Sequence, residues 1–145
     1  MTTLTAATPA TPPASSSRLL SASLWLVQGL LAFAFTGAGL TKLTTPHEAL
    51  AAQMPWVADA PAWLPPLIGA SELAGALGLV LPSALRIQPR LTPLAAGLLA
   101  VVMALAAGTH VVRGELAMIA VNAVLGALAA FVAWGRLRAA PLSPR

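Results

Sequence analysis

The chain has 145 residues, of which 58% are hydrophobic and only 8% are charged. Soluble globular domains carry about 25% charged residues, so this composition excludes that class and indicates an integral membrane protein. The net charge is +4, but the basic residues lie singly near the ends of apolar stretches, so no nucleic-acid surface is predicted. The absence of cysteine excludes disulfides and thiol chemistry.

Four apolar stretches are long enough to cross a bilayer, which takes about 20 helical residues. Residues 1–17, rich in Thr, Ala, Pro and Ser, predict a disordered tail before them. A membrane domain is expected over residues 18–138, with a short interfacial helix at about 46–54 and a C-terminal tail at 139–145. The predicted fold is all-α, a transmembrane four-helix bundle with spans at about 24–43, 64–81, 93–112 and 116–134.

The basic residues predict the orientation of this bundle. Four spans place both termini and the second link on one side of the membrane, and that side carries Arg18, Arg86, Arg90, Arg136, Arg138 and Arg145. The other side carries two basic residues, Lys42 and Arg113. Because basic residues accumulate on the cytoplasmic side of membrane proteins, both termini are predicted to be cytoplasmic. The first stretch exceeds the 7 to 15 apolar residues of a signal peptide, which favours an uncleaved span.

One acid, Glu72, lies near the middle of the second span. A charge at that depth costs roughly 2.5 to 3.5 kcal/mol, so a partner is expected. Side chains lean toward the N-terminus of their own helix. Because the first two spans are antiparallel, Lys42 leans from the end of the first span toward the membrane centre and Glu72 leans toward the outer surface. Lys42 is therefore the best counter-ion for Glu72. The same argument predicts a polar pocket in the outer half of the bundle, formed by Lys42, Glu72, His110 and Asn122 and rimmed by Arg113 and Glu115.

Simpler interpretations of these residues stay open. Lys42 and Glu72 can form an ion pair that fixes packing, or Glu72 can be protonated. His110 can satisfy carbonyl groups at a helix end, and Asn122 can join two helices by hydrogen bonds. No catalytic residue and no metal site is assigned. Haem is rejected, because His47 belongs to the connection between the first two spans and His110 alone gives poor ligation.

Several segments resemble the DoxX-like family of small four-helix membrane proteins. They are FTGAGLTKL, PPLIGASELAGALGLVLP, RLTPLAAGLL and HVVRGE, and the resemblance covers about Leu24 to Gly135. It implies a multi-pass protein of the prokaryotic inner membrane, with Lys42 and Glu72 at the positions of a recurring Lys and Glu. The family is named after subunits associated with thiosulfate:quinone oxidoreductase and terminal oxidase. Related proteins are linked to oxidative-stress complexes and to chaperoning of membrane partners.

Three hypotheses about function follow. The preferred one is a non-enzymatic accessory or partner-binding subunit in contact with the lipid bilayer, whose pocket accepts a small ligand or a segment of another membrane or periplasmic protein. No cofactor is evident under this hypothesis, and no particular oligomer is predicted. The second is a subunit of a quinone-linked oxidoreductase in which His110 and Glu72 exchange protons with bound quinone. The third, a small proton-coupled carrier, is disfavoured because no inverted repeat is visible.

Overall fold

The computed structural model describes residues 15–144, and every regular element within them is helical. Five α-helices occur in the order α1 (Ser15–Thr44), α2 (His47–Gln53), α3 (Leu64–Leu85), α4 (Leu91–Arg113) and α5 (Leu116–Trp134). A 3₁₀ turn (Pro55–Asp59) follows α2, and a π-helical turn (Gly135–Ala139) follows α5. Most of the tail predicted at residues 1–17 lies outside the described residues, as does Arg145.

The four long helices, α1, α3, α4 and α5, are each long and apolar enough to cross a membrane. Their outward faces carry large apolar side chains, among them Val112 at 90% exposure and Phe33 at 84%. Contiguous apolar surface of this extent is unfavourable in water and suits the hydrocarbon of a bilayer. The all-helical prediction is confirmed, and the protein is a multi-pass membrane protein.

Two helices extend beyond the predicted spans. Helix α1 begins at Ser15, nine residues before the first predicted span, and α3 continues through Pro82 to Leu85. Proline removes one backbone donor, but membrane helices tolerate it where neighbouring groups replace the lost hydrogen bond. Helix α3 ends instead at Leu85, because the next residue, Arg86, has a φ of 55° in the left-handed region.

The four long helices form a closed bundle in which α1 packs on α3, α3 on α4, α4 on α5 and α5 on α1. Their shared core is aliphatic and aromatic, and it includes Leu31, Phe35, Leu79, Leu99 and Val132. Near the α3–α4 link, Ser83 donates a hydrogen bond to Thr92 at 2.8 Å and joins these helices. The polar residues discussed below are therefore held on helices that a continuous apolar core keeps in place.

The two ends of the bundle differ in charge. One end comprises the α1–α3 and α4–α5 connections and the adjoining helix turns. It contains Glu48, Asp59 and Glu115 and is called the acid-bearing end below; Glu72, the fourth acidic residue, lies deeper, in the half of α3 nearer to this end. The opposite end, called the arginine end, comprises the start of α1, the α3–α4 link and the turn after α5. Its described basic residues are Arg18, Arg86, Arg90, Arg136 and Arg138.

Candidate functional site

Two glycines bring α1 and α3 into direct backbone contact at the acid-bearing end. A methyl group placed on Gly39 would lie 2.7 Å from the carbonyl oxygen of Gly69. One placed on Gly69 would lie 2.8 Å from the carbonyl oxygen of Gly39. Both distances are shorter than a carbon–oxygen contact allows, so only glycine fits at this crossing. Small residues of this kind let membrane helices approach closely.

Lys42 and Glu72 form a buried ion pair beside this contact. The Lys42 ammonium donates to both carboxylate oxygens of Glu72, at 3.0 and 2.8 Å. The side chains of Lys42 and Glu72 are only 10% and 4% exposed. Lys42 also donates to the carbonyl oxygen of Ala38, at 3.5 Å, so its side chain turns back by one helical turn. The pairing agrees with the one predicted from helix direction.

A second charged cluster joins the α4–α5 connection to the 3₁₀ turn. Nδ1 of His110 lies 2.5 Å from a carboxylate oxygen of Glu115. The other oxygen of Glu115 accepts from Nε of Arg113 at 2.8 Å, and Nη1 of Arg113 donates to Asp59. Gly114 allows these contacts, because its φ of 70° lies in the left-handed region and reverses the chain, so that Glu115 returns to the end of α4.

The electrostatics of this cluster favour the ionised form of Glu115. Hydrogen bonds from Arg113 first and from His110 second hold the pKa of the Glu115 carboxyl below its ordinary value of 4.5. Burial acts in the opposite direction but less strongly. Glu115 is thus a fixed negative charge between two donors, and it orients both of them.

Asn122 does not join either group. Its amide nitrogen donates to the carbonyl oxygen of Met118 in the same helix, at 2.7 Å, although the residue is only 9% exposed. Among the described residues, no hydrogen bond connects the Lys42–Glu72 pair with the His110 cluster. The residues predicted to line one polar pocket therefore occupy two hydrogen-bonded groups and one separate position. A shallow apolar depression lies elsewhere, on the outer surface of α5, and is lined by Ala120, Val121, Val124 and Leu125.

Comparison with known proteins identifies the family. A family model described as the DoxX-like family matches residues 26–132 of the chain. The chain belongs to the DoxX-like family. No curated protein and no solved structure matches it. The matched region of this DoxX-like protein includes the Lys42–Glu72 pair and the His110 cluster, and it ends before the π-helical turn that carries Arg136.

This DoxX-like protein contains a third polar cluster, which sequence reasoning missed. At the arginine end, Arg136 is only 4% exposed and donates through Nε to the side-chain oxygen of Gln28 at 2.7 Å. The Gln28 amide donates in turn to the carbonyl oxygen of Leu79 at 2.6 Å. The sequence analysis placed Arg136 only among the basic residues that predict the orientation. A glutamine within an apolar span was the available signal, since such a side chain needs a polar partner.

Proposed function

We propose that this DoxX-like protein is an accessory subunit of the prokaryotic inner membrane whose acid-bearing end binds another membrane or periplasmic protein. The observation that carries the proposal is the Asp59–Arg113–Glu115 bridge, which ties the two connections of that end together. The Asp59 side chain is 72% exposed, so part of this charged surface stays open to a partner. Complementary charge on a partner would give specificity and orientation at this surface.

The distribution of basic residues supports a periplasmic position for this surface. Basic residues at membrane ends mark the cytoplasmic side, and the arginine end carries no acid to offset them. We therefore place the arginine end and both termini in the cytoplasm. The acid-bearing end then faces the periplasm, where a soluble protein or the loop of another membrane protein can reach it.

The pairing of the charged groups favours binding over proton-transfer chemistry. A general base must reach the substrate proton and have a pKa near the working pH, whereas the Glu72 side chain is only 4% exposed and the pKa of Glu115 is lowered. Both oxygens of Glu72 accept from Lys42, and the two oxygens of Glu115 contact His110 and Arg113. Such mutually satisfied ion pairs fix the shape of a surface, which is the property that a partner-binding subunit needs.

Site-specific photo-crosslinking in native cells tests this proposal. A photoreactive residue at Ala58, exposed beside Asp59, should give a discrete protein adduct. The same residue at Ile87, which is 65% exposed at the arginine end, is the matched control and should not give that adduct. The Ala58 adduct should weaken when Asp59→Asn removes the exposed charge. Identical adducts from Ala58 and Ile87, or none from Ala58, would reject a partner at the acid-bearing end.

A second candidate function rests on the contact between His110 and Glu115. A buried imidazole held 2.5 Å from a carboxylate is an arrangement that can take a proton while the carboxylate orients the ring and stabilises the imidazolium. In a quinone-linked oxidoreductase, His110 would take one of the two protons released when a bound quinol passes its two electrons to an electron acceptor in a partner subunit, and the second proton would leave to water. The purified protein would then bind a short-chain quinol saturably.

Two adjacent substitutions test the quinone hypothesis. His110→Ala should weaken quinol binding by about tenfold or more, the loss expected when a hydrogen bond to a charged group is removed. Thr109→Ala is the matched control, because Thr109 is exposed and its hydroxyl donates to the Leu105 carbonyl of its own helix. Absence of saturable binding, or equal binding by both variants, would reject the role of His110.

A further inference from the structure

Arg136 is a buried cation whose hydrogen-bonding capacity is incompletely used. Its Nε donates to Gln28, whose amide is itself fixed by the Leu79 carbonyl. Its Nη1 contact with the carbonyl oxygen of Ala140 is 3.4 Å, longer than the usual N–H···O distance of about 2.9 to 3.0 Å. Within residues 15–144, Nη2 is buried and has no hydrogen-bond partner. The two terminal nitrogens therefore lack good acceptors.

Among residues 15–144, no carboxylate compensates the charge of Arg136. The four acidic side chains all belong to the opposite half of the bundle. What surrounds the guanidinium is neutral: the Gln28 amide, the Ala140 carbonyl and the ring of Trp25, whose centroid lies 5.1 Å from the guanidinium carbon. Burying an ionised group without an opposite charge is costly. The site therefore favours an anion that the described residues do not supply.

We propose that Arg136 binds a phosphate-bearing anion through Nη1 and Nη2. A guanidinium presents two parallel donors that match two oxygens of a phosphate group. Because Nη2 is buried, binding requires the chain at Ala140 to move away from the guanidinium. The anion would then replace the weakly held Ala140 carbonyl at Nη1 and give Nη2 its missing acceptor. Trp25 holds the other side of the guanidinium, and tryptophan is enriched at the depth of lipid headgroups. The source of the phosphate is either an anionic phospholipid or free phosphate.

The π-helical turn provides an internal control for this site. Arg136 and Arg138 both belong to Gly135–Ala139, yet Arg136 is buried whereas Arg138 is exposed. The two arginines contribute equally to net charge and lie at the same end of the bundle. A general attraction of basic residues to anionic membranes would depend on both of them, whereas the proposed site depends on Arg136 alone.

Thermal unfolding in neutral detergent tests the proposal with defined probes. Phosphatidylglycerol should raise the Tm of the wild type and of Arg138→Gln above that seen with the same amount of phosphatidylcholine, and this rise should be lost in Arg136→Met. Inorganic phosphate is compared with chloride at equal ionic strength. A rise with phosphate assigns the site to the free ion, and a rise with phosphatidylglycerol alone assigns it to the lipid headgroup. The proposal is overturned if neither probe raises the Tm, or if Arg136→Met and Arg138→Gln respond alike.

If Arg136→Met does not fold, native mass spectrometry of the wild type and of Arg136→Lys tests the site by measuring which anion stays bound. The wild type should retain one phosphatidylglycerol, or one phosphate, under activation that removes phosphatidylcholine. Arg136→Lys preserves the charge but loses the planar pair of donors, so the dissociation constant should rise by about tenfold, as for the loss of one charge-assisted hydrogen bond. Absence of any retained phosphate-bearing anion on the wild type would refute the site.

Discussion

Lys42 and Glu72 form their ion pair across the point at which Gly39 and Gly69 bring α1 and α3 into contact. Each charged residue lies three positions after a glycine, and the helices run in opposite directions. The two α-carbons are therefore separated along the bundle by about 9 Å, at 1.5 Å per residue. The side chains close that distance because each leans toward the N-terminus of its own helix. The ion pair thus depends on the glycine contact.

The first prediction is that Lys42 and Glu72 are energetically coupled. Lys42→Met or Glu72→Gln alone should destabilise the protein, because removing one partner of a buried pair typically costs about 3 to 5 kcal/mol. The double variant should recover part of that loss, since neither charge then remains unpaired. Thermal unfolding of the wild type, the two single variants and the double variant in one detergent gives a double-mutant cycle, with an expected coupling of about 0.5 to 3 kcal/mol. Strictly additive losses would show that the pair contributes nothing as a pair.

The second prediction concerns the glycine contact itself. Gly69→Ala should lower the Tm, because its new methyl group would meet the backbone of Gly39 at 2.8 Å and force the helices apart. Overpacking of this kind costs about 1 to 3 kcal/mol. Gly37→Ala is the matched control, since a methyl group there meets nothing within 4 Å and alanine favours a helix by about 1 kcal/mol. A Tm for Gly69→Ala at or above that of Gly37→Ala would contradict the close contact.

The fold and the central ion pair could be anticipated from the sequence because both follow from local rules. Apolar length predicts the long helices, and side-chain direction predicts the contact of Lys42 with Glu72. The separation of His110 and Asn122 from the Lys42–Glu72 pair could not be predicted from these local rules. The left-handed turn at Gly114 returns Glu115 to His110, and this short-range contact competes with any longer reach into the bundle.

Arg136 shows a different limit of sequence reasoning. Arg136 lies in a π-helical turn, in which the angle between successive side chains differs from that of an α-helix. An α-helical projection of the sequence therefore assigns the wrong direction to residues in this turn. The partner Gln28 is 108 residues away, and pairings at such separation depend on the packing of α5 against α1.

The third prediction tests the orientation of the bundle. The chain has no cysteine, so a single introduced cysteine is the unique target of a thiol reagent. Ala58→Cys should react with a membrane-impermeant maleimide added from the periplasmic side of spheroplasts, because Ala58 is exposed in the acid-bearing end. Ile87→Cys, in the exposed α3–α4 link, should react only after the membrane is opened. The reverse pattern would invert the bundle and place the proposed partner surface in the cytoplasm.

The fourth prediction concerns the pH dependence of the α4–α5 connection. Hydrogen bonds from Arg113 and His110 lower the pKa of Glu115 in the folded protein, so the folded state favours the carboxylate. The resulting stabilisation is present above the ordinary pKa of 4.5 and is lost as the pH falls through the lower folded-state value. The Tm of Glu115→Gln should therefore fall below that of the wild type at pH 6. The difference should shrink below pH 4, and a constant difference across this range would show that the Glu115 charge is not its cause.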